Sequence, residues 1–416
     1  MAVQATVWRG TQRWSWCAAA ASAAWALACG AADPAAGHGA DSLGGDTFDT
    51  ASADLGPGDS APGDTAALQI TDGAAHLQLG AVQIEAQSGL GPWLTFAVPA
   101  GARALTVTTE APGVGLALAQ WQDGEGSLLI VPAWLAGPFA PWLCTSGCVQ
   151  RQAARPSAQT SQVVAAAGSA LPAGLWRLRA YGFEPFNAKP SSALAQLRVD
   201  AVYAADTGHG RLRVNLCLTG ALGIDAKIAA AHPRIQAAIL QLRDIYAAAG
   251  IDVEIALRDV QAPQLLVEHD AADAELSELF GSGAHLPMAI NVFLVEQLYR
   301  TTAAGTQAIA GLAGGIPGPP LQVGGAQSGV AVSLALGPAE DDRLGVVIAH
   351  ELAHFLGLFH TVEAAAPGAD PLLDQLDDTD AGGQWLMHWS PQADSTAFSA
   401  EQARRLRASP WIETML

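Results

Sequence analysis

Apolar residues along this chain recur in two rhythms. Between about 67 and 200 they fall on every second position in short runs: Leu94-Thr95-Phe96-Ala97-Val98, Leu105-Thr106-Val107-Thr108-Thr109 and Leu175-Trp176-Arg177-Leu178-Arg179-Ala180-Tyr181. A period of two sends successive side chains to opposite faces of a strand, and Pro99-Ala100-Gly101 and Pro172-Ala173-Gly174 supply turn signals. The pattern predicts an all-β sandwich over 67–200.

From 201 the rhythm becomes mixed. A strand is predicted at 211–218, followed by a helix over 233–249 that Pro233 opens and Gly250 closes, with Ile235, Ile239, Leu242 and Tyr246 on one face. Further strands are predicted at 251–257, near 290–295 and near 330–336. A second helix carries Leu344, Val347, Ile348, Leu352, Phe355 and Leu356 at helical spacing, with Asp341 and Asp342 at its positive N-terminal end. Ser399-Ala400-Glu401-Gln402 reads as a capping box opening a helix through Leu406. This order predicts an α+β domain over 201–416, with 311–329 either a long loop at the rim of a cleft or a plain surface loop.

The second helix also holds the chemistry. His350-Glu351-Leu352-Ala353-His354-Phe355-Leu356-Gly357-Leu358-Phe359-His360 reads H-E-x-x-H-x-x-G-x-x-H. Residues four apart share a helix face about 6 Å apart along the axis, so His350 and His354 form a two-ligand clamp for a metal. His360 would lie roughly 15 Å from His350 if the helix ran on, too far to share an ion bonded at about 2.0–2.1 Å. The helix must therefore stop, and Gly357 is where it can, because glycine takes left-handed dihedrals without a Cβ penalty. Three histidines leave one tetrahedral position open for water, the arrangement of a catalytic zinc. Glu351, next to the first ligand, is the candidate general base.

These residues resemble the metzincin clan of zinc endopeptidases. The resemblance implies a methionine turn beneath the metal, and Gln384-Trp385-Leu386-Met387-His388-Trp389-Ser390 carries the matching residue, Met387. Within the clan, His360-Thr361-Val362-Glu363, Asp370-Pro371-Leu372-Leu373-Asp374 and the turn are similar to the pappalysin-like branch and its bacterial relatives. The likeness covers about 201–416, and 67–200 resembles the accessory β-domains of secreted bacterial proteases. It implies a zinc endopeptidase that acts on a protein or peptide held in extended form along a cleft strand, for which 329–336 is the candidate. It also implies calcium nearby, for which Glu363, Asp370, Asp374, Asp377, Asp378 and Asp380 are candidates; a solvated acidic loop is the other reading. One residue departs from the pattern. Several metzincins carry a tyrosine two places after the methionine, where this chain has Trp389, so no tyrosine role is carried over. His388 beside it either hydrogen-bonds the transition state or is structural.

Composition sets the address. The net charge of −19 argues against a nucleic-acid partner. Arg9 and Arg13, an apolar run from Trp14 to Ala28, and then Cys29 read as an export signal over 1–29, too short for a membrane span. Ala26-Leu27-Ala28-Cys29 resembles a bacterial lipobox with leucine one place too close to the cysteine; either a lipid anchors Cys29 or cleavage releases the protein. Residues 30–66 hold seven aspartates and no lysine or arginine, which predicts a disordered acidic tether. The protein is thus expected outside the cytoplasm, at a bacterial outer membrane or cell surface, or secreted.

In an oxidising compartment, Cys144 and Cys148 would close a small disulfide. Cys217 faces away from Leu212, Val214, Leu216 and Leu218 as a buried thiol, and any of these three cysteines is alternatively a metal cap in a latent form. Two other functions share the motif: a surface-binding or adhesive protein with structural zinc, and a zinc amidase acting on a non-peptide substrate.

Overall fold

The computed structural model describes residues 66–67, 69–71, 74–130, 152–153, 155–185, 189–269, 274–302, 305–325, 327–335, 343–363, 372–374, 376–380, 383–389 and 395–415. The export signal with Cys29, the tether up to 65, Cys144, Cys148, Asp341, Asp342 and Asp370 lie outside these residues, as does the side chain of Glu363.

The alternating runs of the first half become β1 (Ala66–Ala67), β2 (Gln69–Thr71), β3 (Ala74–Ile84), β4 (Leu94–Val98), β5 (Ala104–Gln122), β6 (Leu128–Ile130), β7 (Arg155–Val164), β8 (Gly174–Phe183) and β9 (Ala193–Val202). They form one sheet, ordered β1-β4-β8-β5-β9-β3-β2, with β6 and β7 also paired to β5. Strand β5 organises it: Ala104–Glu110 pair with β9 and β7, whereas Gly115–Gln122 pair with β8. Its register shifts between Ala111 and Gly115, and Gly113 there has φ 76°. A bulge of this kind bends a strand, and both arms share one core. Ile84, Leu105, Val107, Leu197 and Val199 of one arm pack with Phe96, Trp121, Trp176 and Leu178 of the other.

The second half follows as β10 (Gly210–Leu218), α1 (Ala226–Ala229), α2 (Pro233–Ala248), β11 (Ile251–Asp259), β12 (Leu265–His269), α3 (Ala274–Gly281), β13 (Ile290–Val295), β14 (Gln297–Thr302), β15 (Gly305–Ile309), β16 (Gly311–Ala313), β17 (Gly329–Ser333), α4 (Leu344–Phe355), β18 (Val362–Glu363), β19 (Leu372–Leu373), α5 (Ala400–Arg407) and β20 (Ile412–Thr414). The molecule is therefore a mixed α+β protein with mostly sheet content.

The main sheet here runs β11-β10-β13-β17-β16, with the first four parallel and β16 antiparallel. Parallel strands are covered on both faces. Leu212, Val214, Leu216 and Leu218 face helices α2 and α4. Cys217 faces the other way, among Phe280, Phe293 and Ala331, as its alternation required. Burial pushes its thiol up to about 12. A neutral thiol on the sheet face opposite α4 is no cap for a metal held by that helix.

Two sequence expectations need correction. Strand β17 ends at Ser333, and it lies inside the sheet between β13 and β16. Its backbone groups are used on both sides, so it cannot add a peptide strand; β16 is the outer strand among the described residues. Within 311–329, the part 311–320 is no loop on the surface, because it is all buried and opens with β16, whereas Leu321 is exposed. Helix α4 is buried on every face, as its apolar flanks implied.

The two halves meet through polar contacts. Arg198 donates to the Pro320 carbonyl at 2.8 Å, Gln327 to that of Pro156 at 2.9 Å, and Arg404 to that of Ala165. Arg407 closes a two-pronged pair with Asp206 at 2.7 and 3.0 Å. That pair holds the Asp206 carboxyl below its ordinary range. A depressed acid stabilises the fold above its unfolded pKa and loses that contribution as pH falls through the folded value. Asp206→Asn is thus expected to lower Tm slightly near pH 7 and to converge on the parent below about pH 3. Tm measured against pH checks this; parallel curves down to acid would reject it.

Candidate metal centre

The histidines are placed by how α4 ends. Its last turn is followed by Leu356, and then by Gly357 at φ 110°. The Gly357 N–H donates to the His354 carbonyl and the Leu358 N–H to that of Ala353, both at 2.9 Å. These are the paired bonds of a Schellman ending, with glycine at the left-handed position that motif demands. A Cβ at Gly357 would also stand 2.6 Å from Gln162 Oε1 of β7.

The turn returns the chain toward the helix. His360 Nε2 comes to 3.3 Å from His350 Nε2 and 3.1 Å from His354 Nε2, and all three residues are buried. It also aims the Leu358 carbonyl at His354 Nδ1, 2.7 Å away, while His350 Nδ1 meets the Leu386 carbonyl at 2.7 Å. A carbonyl only accepts, so both Nδ1 atoms carry the proton and both Nε2 atoms keep a lone pair turned inward. Two nitrogens bonded at 2.0–2.1 Å in a tetrahedron stand about 3.3 Å apart, which is the spacing found here. Among the described residues this is the group whose ligand atoms converge in the manner of a metal site.

Met387 is fully buried directly after the carbonyl that holds His350. The Thr361 N–H donates to the Met387 carbonyl at 2.8 Å, and Val362 bridges in parallel to His388. Residues 385–389 therefore run beside the strand leaving His360 and steady two ligands at once. Trp389, half-buried, sits next to His388 with ring centroids 6.1 Å apart. Glu351 is buried on α4, and its side chain lies against Gly311 of β16.

The acidic residues are directed elsewhere. Asp378 accepts from Ser399 Oγ and the Glu401 N–H, both at 2.8 Å, and so joins the Ser399–Gln402 capping box at the start of α5. Asp374 accepts from Thr379 Oγ1 at 2.5 Å, and Asp380 from Trp385 Nε1 at 3.1 Å, while Asp377 is exposed. Among the described residues, Asp374, Asp378 and Asp380 thus serve the chain's own donors.

Of the residues named from sequence, the structure brings His350, His354 and His360 together, with Gly357 at the turn after α4, Met387 buried beside the group and Glu351 buried on α4. Sequence reasoning missed the carbonyls of Leu358 and Leu386, which no side-chain pattern announces, and it missed Gly311. The glycine density after 310 was the available signal for the last of these.

The sequence matches no family model and no curated protein. Solved structures give partial likenesses. Metalloproteinase-II from Bacteroides fragilis is 14% identical with a TM-score of 0.31, over 51% of this chain and 61% of that one. An active-site mutant of a family two carbohydrate esterase from Clostridium thermocellum is 12% identical with a TM-score of 0.16, over 53% and 64%. An acetyl xylan esterase from the rumen bacterium Butyrivibrio proteoclasticus is 9% identical with a TM-score of 0.16, over 55% and 64%. This chain thus spans under two-thirds of each, and TM-scores of this size define no shared fold.

Proposed function

We propose that the protein is an exported zinc-dependent endopeptidase of the metzincin type, near the pappalysin-like branch, with a β-sandwich accessory domain at 67–200 and the peptidase domain at 201–416. The observation that carries this is the convergence of His350, His354 and His360 Nε2 at 3.1–3.3 Å, with Glu351 one residue after the first ligand.

The three imidazoles would hold the ion, and zinc bound there would supply Lewis-acid polarisation of the scissile carbonyl and acidify water. Glu351 takes the proton of the attacking water and hands it to the leaving amine, a role suited to a buried carboxyl beside the site. The Nδ1–carbonyl bonds keep His350 and His354 oriented through the cycle. The Cys29 lipobox makes a surface lipoprotein the favoured address.

The test is elemental analysis together with protein-library cleavage by the purified mature chain. One equivalent of zinc with metal-dependent peptide cleavage supports the reading. Stoichiometric zinc with no hydrolysis of any peptide sinks it and favours a structural zinc in a binding protein, while hydrolysis confined to non-peptide amides favours the amidase.

A further inference from the structure

Three glycines seat helix α4, and each leaves room for a different neighbour. A Cβ on Gly345 would stand 2.6 Å from the Ala238 carbonyl of α2. One on Gly318 would fall inside the Phe355 ring. One on Gly311 would stand 2.5 Å from Glu351 Cγ, 3.0 Å from Cδ and 2.9 Å from Oε1. The first two meet backbone or a fully buried ring, neither of which can step aside. The third meets a side chain with three rotatable bonds.

Neither element around that contact can easily give way. Strand β16 is held by pairing Gly311 with Val332 and Leu312 with Ala331, and by the Ser333 N–H donating to the Ala310 carbonyl at 2.9 Å. Helix α4 is held by Tyr246 Oη donating to the Ala349 carbonyl at 3.2 Å and by the carbonyl anchors of His350 and His354. A crowding atom at 311 therefore displaces the Glu351 side chain from Cγ outward, and the carboxylate with it.

We propose that Gly311 is a positioning residue for Glu351: its missing side chain is the space in which the carboxylate is held toward the metal centre. This rests on Glu351 being the proton carrier. It adds a second chain segment to the active arrangement, because β16 is the wall that aims the acid.

The test compares G311A with G345A, using the full mature protein. G311A is expected to keep one equivalent of metal, to keep Tm within a few degrees of the parent, and to lose about 10²-fold in kcat at nearly constant KM. G345A, which meets backbone, is expected to lose Tm instead. Placed on E351Q, G311A is expected to cost nothing further, since both changes remove one group's action. A Tm loss in G311A like that of G345A, a raised KM at unchanged kcat, or a full additional loss on E351Q would each overturn the proposal. Crystal structures of the parent and G311A provide a readout independent of peptidase activity. A displaced carboxylate with the three histidines unmoved supports the assignment even if no peptide is cleaved; a shifted β16 with Glu351 in place overturns it.

Discussion

Glu351→Gln is expected to leave the protein folded and metal-loaded and to remove peptide cleavage. Glutamine matches glutamate in shape, so the buried site between α4 and β16 is refilled without a cavity. In the proposed site the metal is held by histidine nitrogens, which the change does not touch. What disappears is a group able to take and return a proton, a contribution of about 10²–10⁴ in rate. At 1.36 kcal/mol per decade this is roughly 2.7–5.4 kcal/mol of barrier. Tm is expected to hold or rise, because an amide costs less to bury than a carboxylate. Metal content, a melting curve and kcat/KM on a library-derived peptide check this together. Cleavage within a few-fold of the parent would remove Glu351 from the mechanism.

The second large effect is on stability through the metal. With the three Nε2 atoms already 3.1–3.3 Å apart, the folded site is expected to bind a metal without rearrangement. The unfolded chain has no such site, so binding favours the native state by RT ln(1 + [L]/Kd), about 4 kcal/mol at a thousandfold excess over Kd. Chelation is thus expected to lower Tm by roughly 8–16 °C for a domain of this size. His360→Ala removes the ligand that bridges the other two, and should melt near the chelated parent with no further response to chelator. Calorimetry with and without chelator decides it. A chelator-sensitive H360A would mean that another group takes the third position.

The convergence of these histidines was legible in the sequence because each helix signal is local. The helix expected at 233–249 forms at Pro233–Ala248, since a proline start, a glycine stop and one apolar face act within a few turns. The break after Phe355 was readable for the same reason: only glycine suits a left-handed C′ position. What escaped depends on neighbours remote in the chain. Gly345, Ala349 and Ala353 carry no apolar bulk, so nothing marked them as a contact face, yet small residues are what let α2 and α4 approach. Gly311 reads as a loop residue because glycine weakens strands, and its place on β16 follows from pairing with Val332. Whether β17 is an outer or inner strand is likewise a matter of sheet order. The direction of Asp378 also follows from a remote partner, the α5 N-terminus, which composition does not announce.

The two groups that orient His354 and His350 are the carbonyls of Leu358 and Leu386. Main-chain oxygens survive every side-chain replacement. An alanine scan of this region would therefore report both leucines only as packing residues and leave the orienting bonds silent. Chain length is the variable that reaches them. One residue inserted between Gly357 and His360 would rotate the third imidazole away and realign the Leu358 oxygen, so the site tolerates spelling changes at these places far better than changes in letter count.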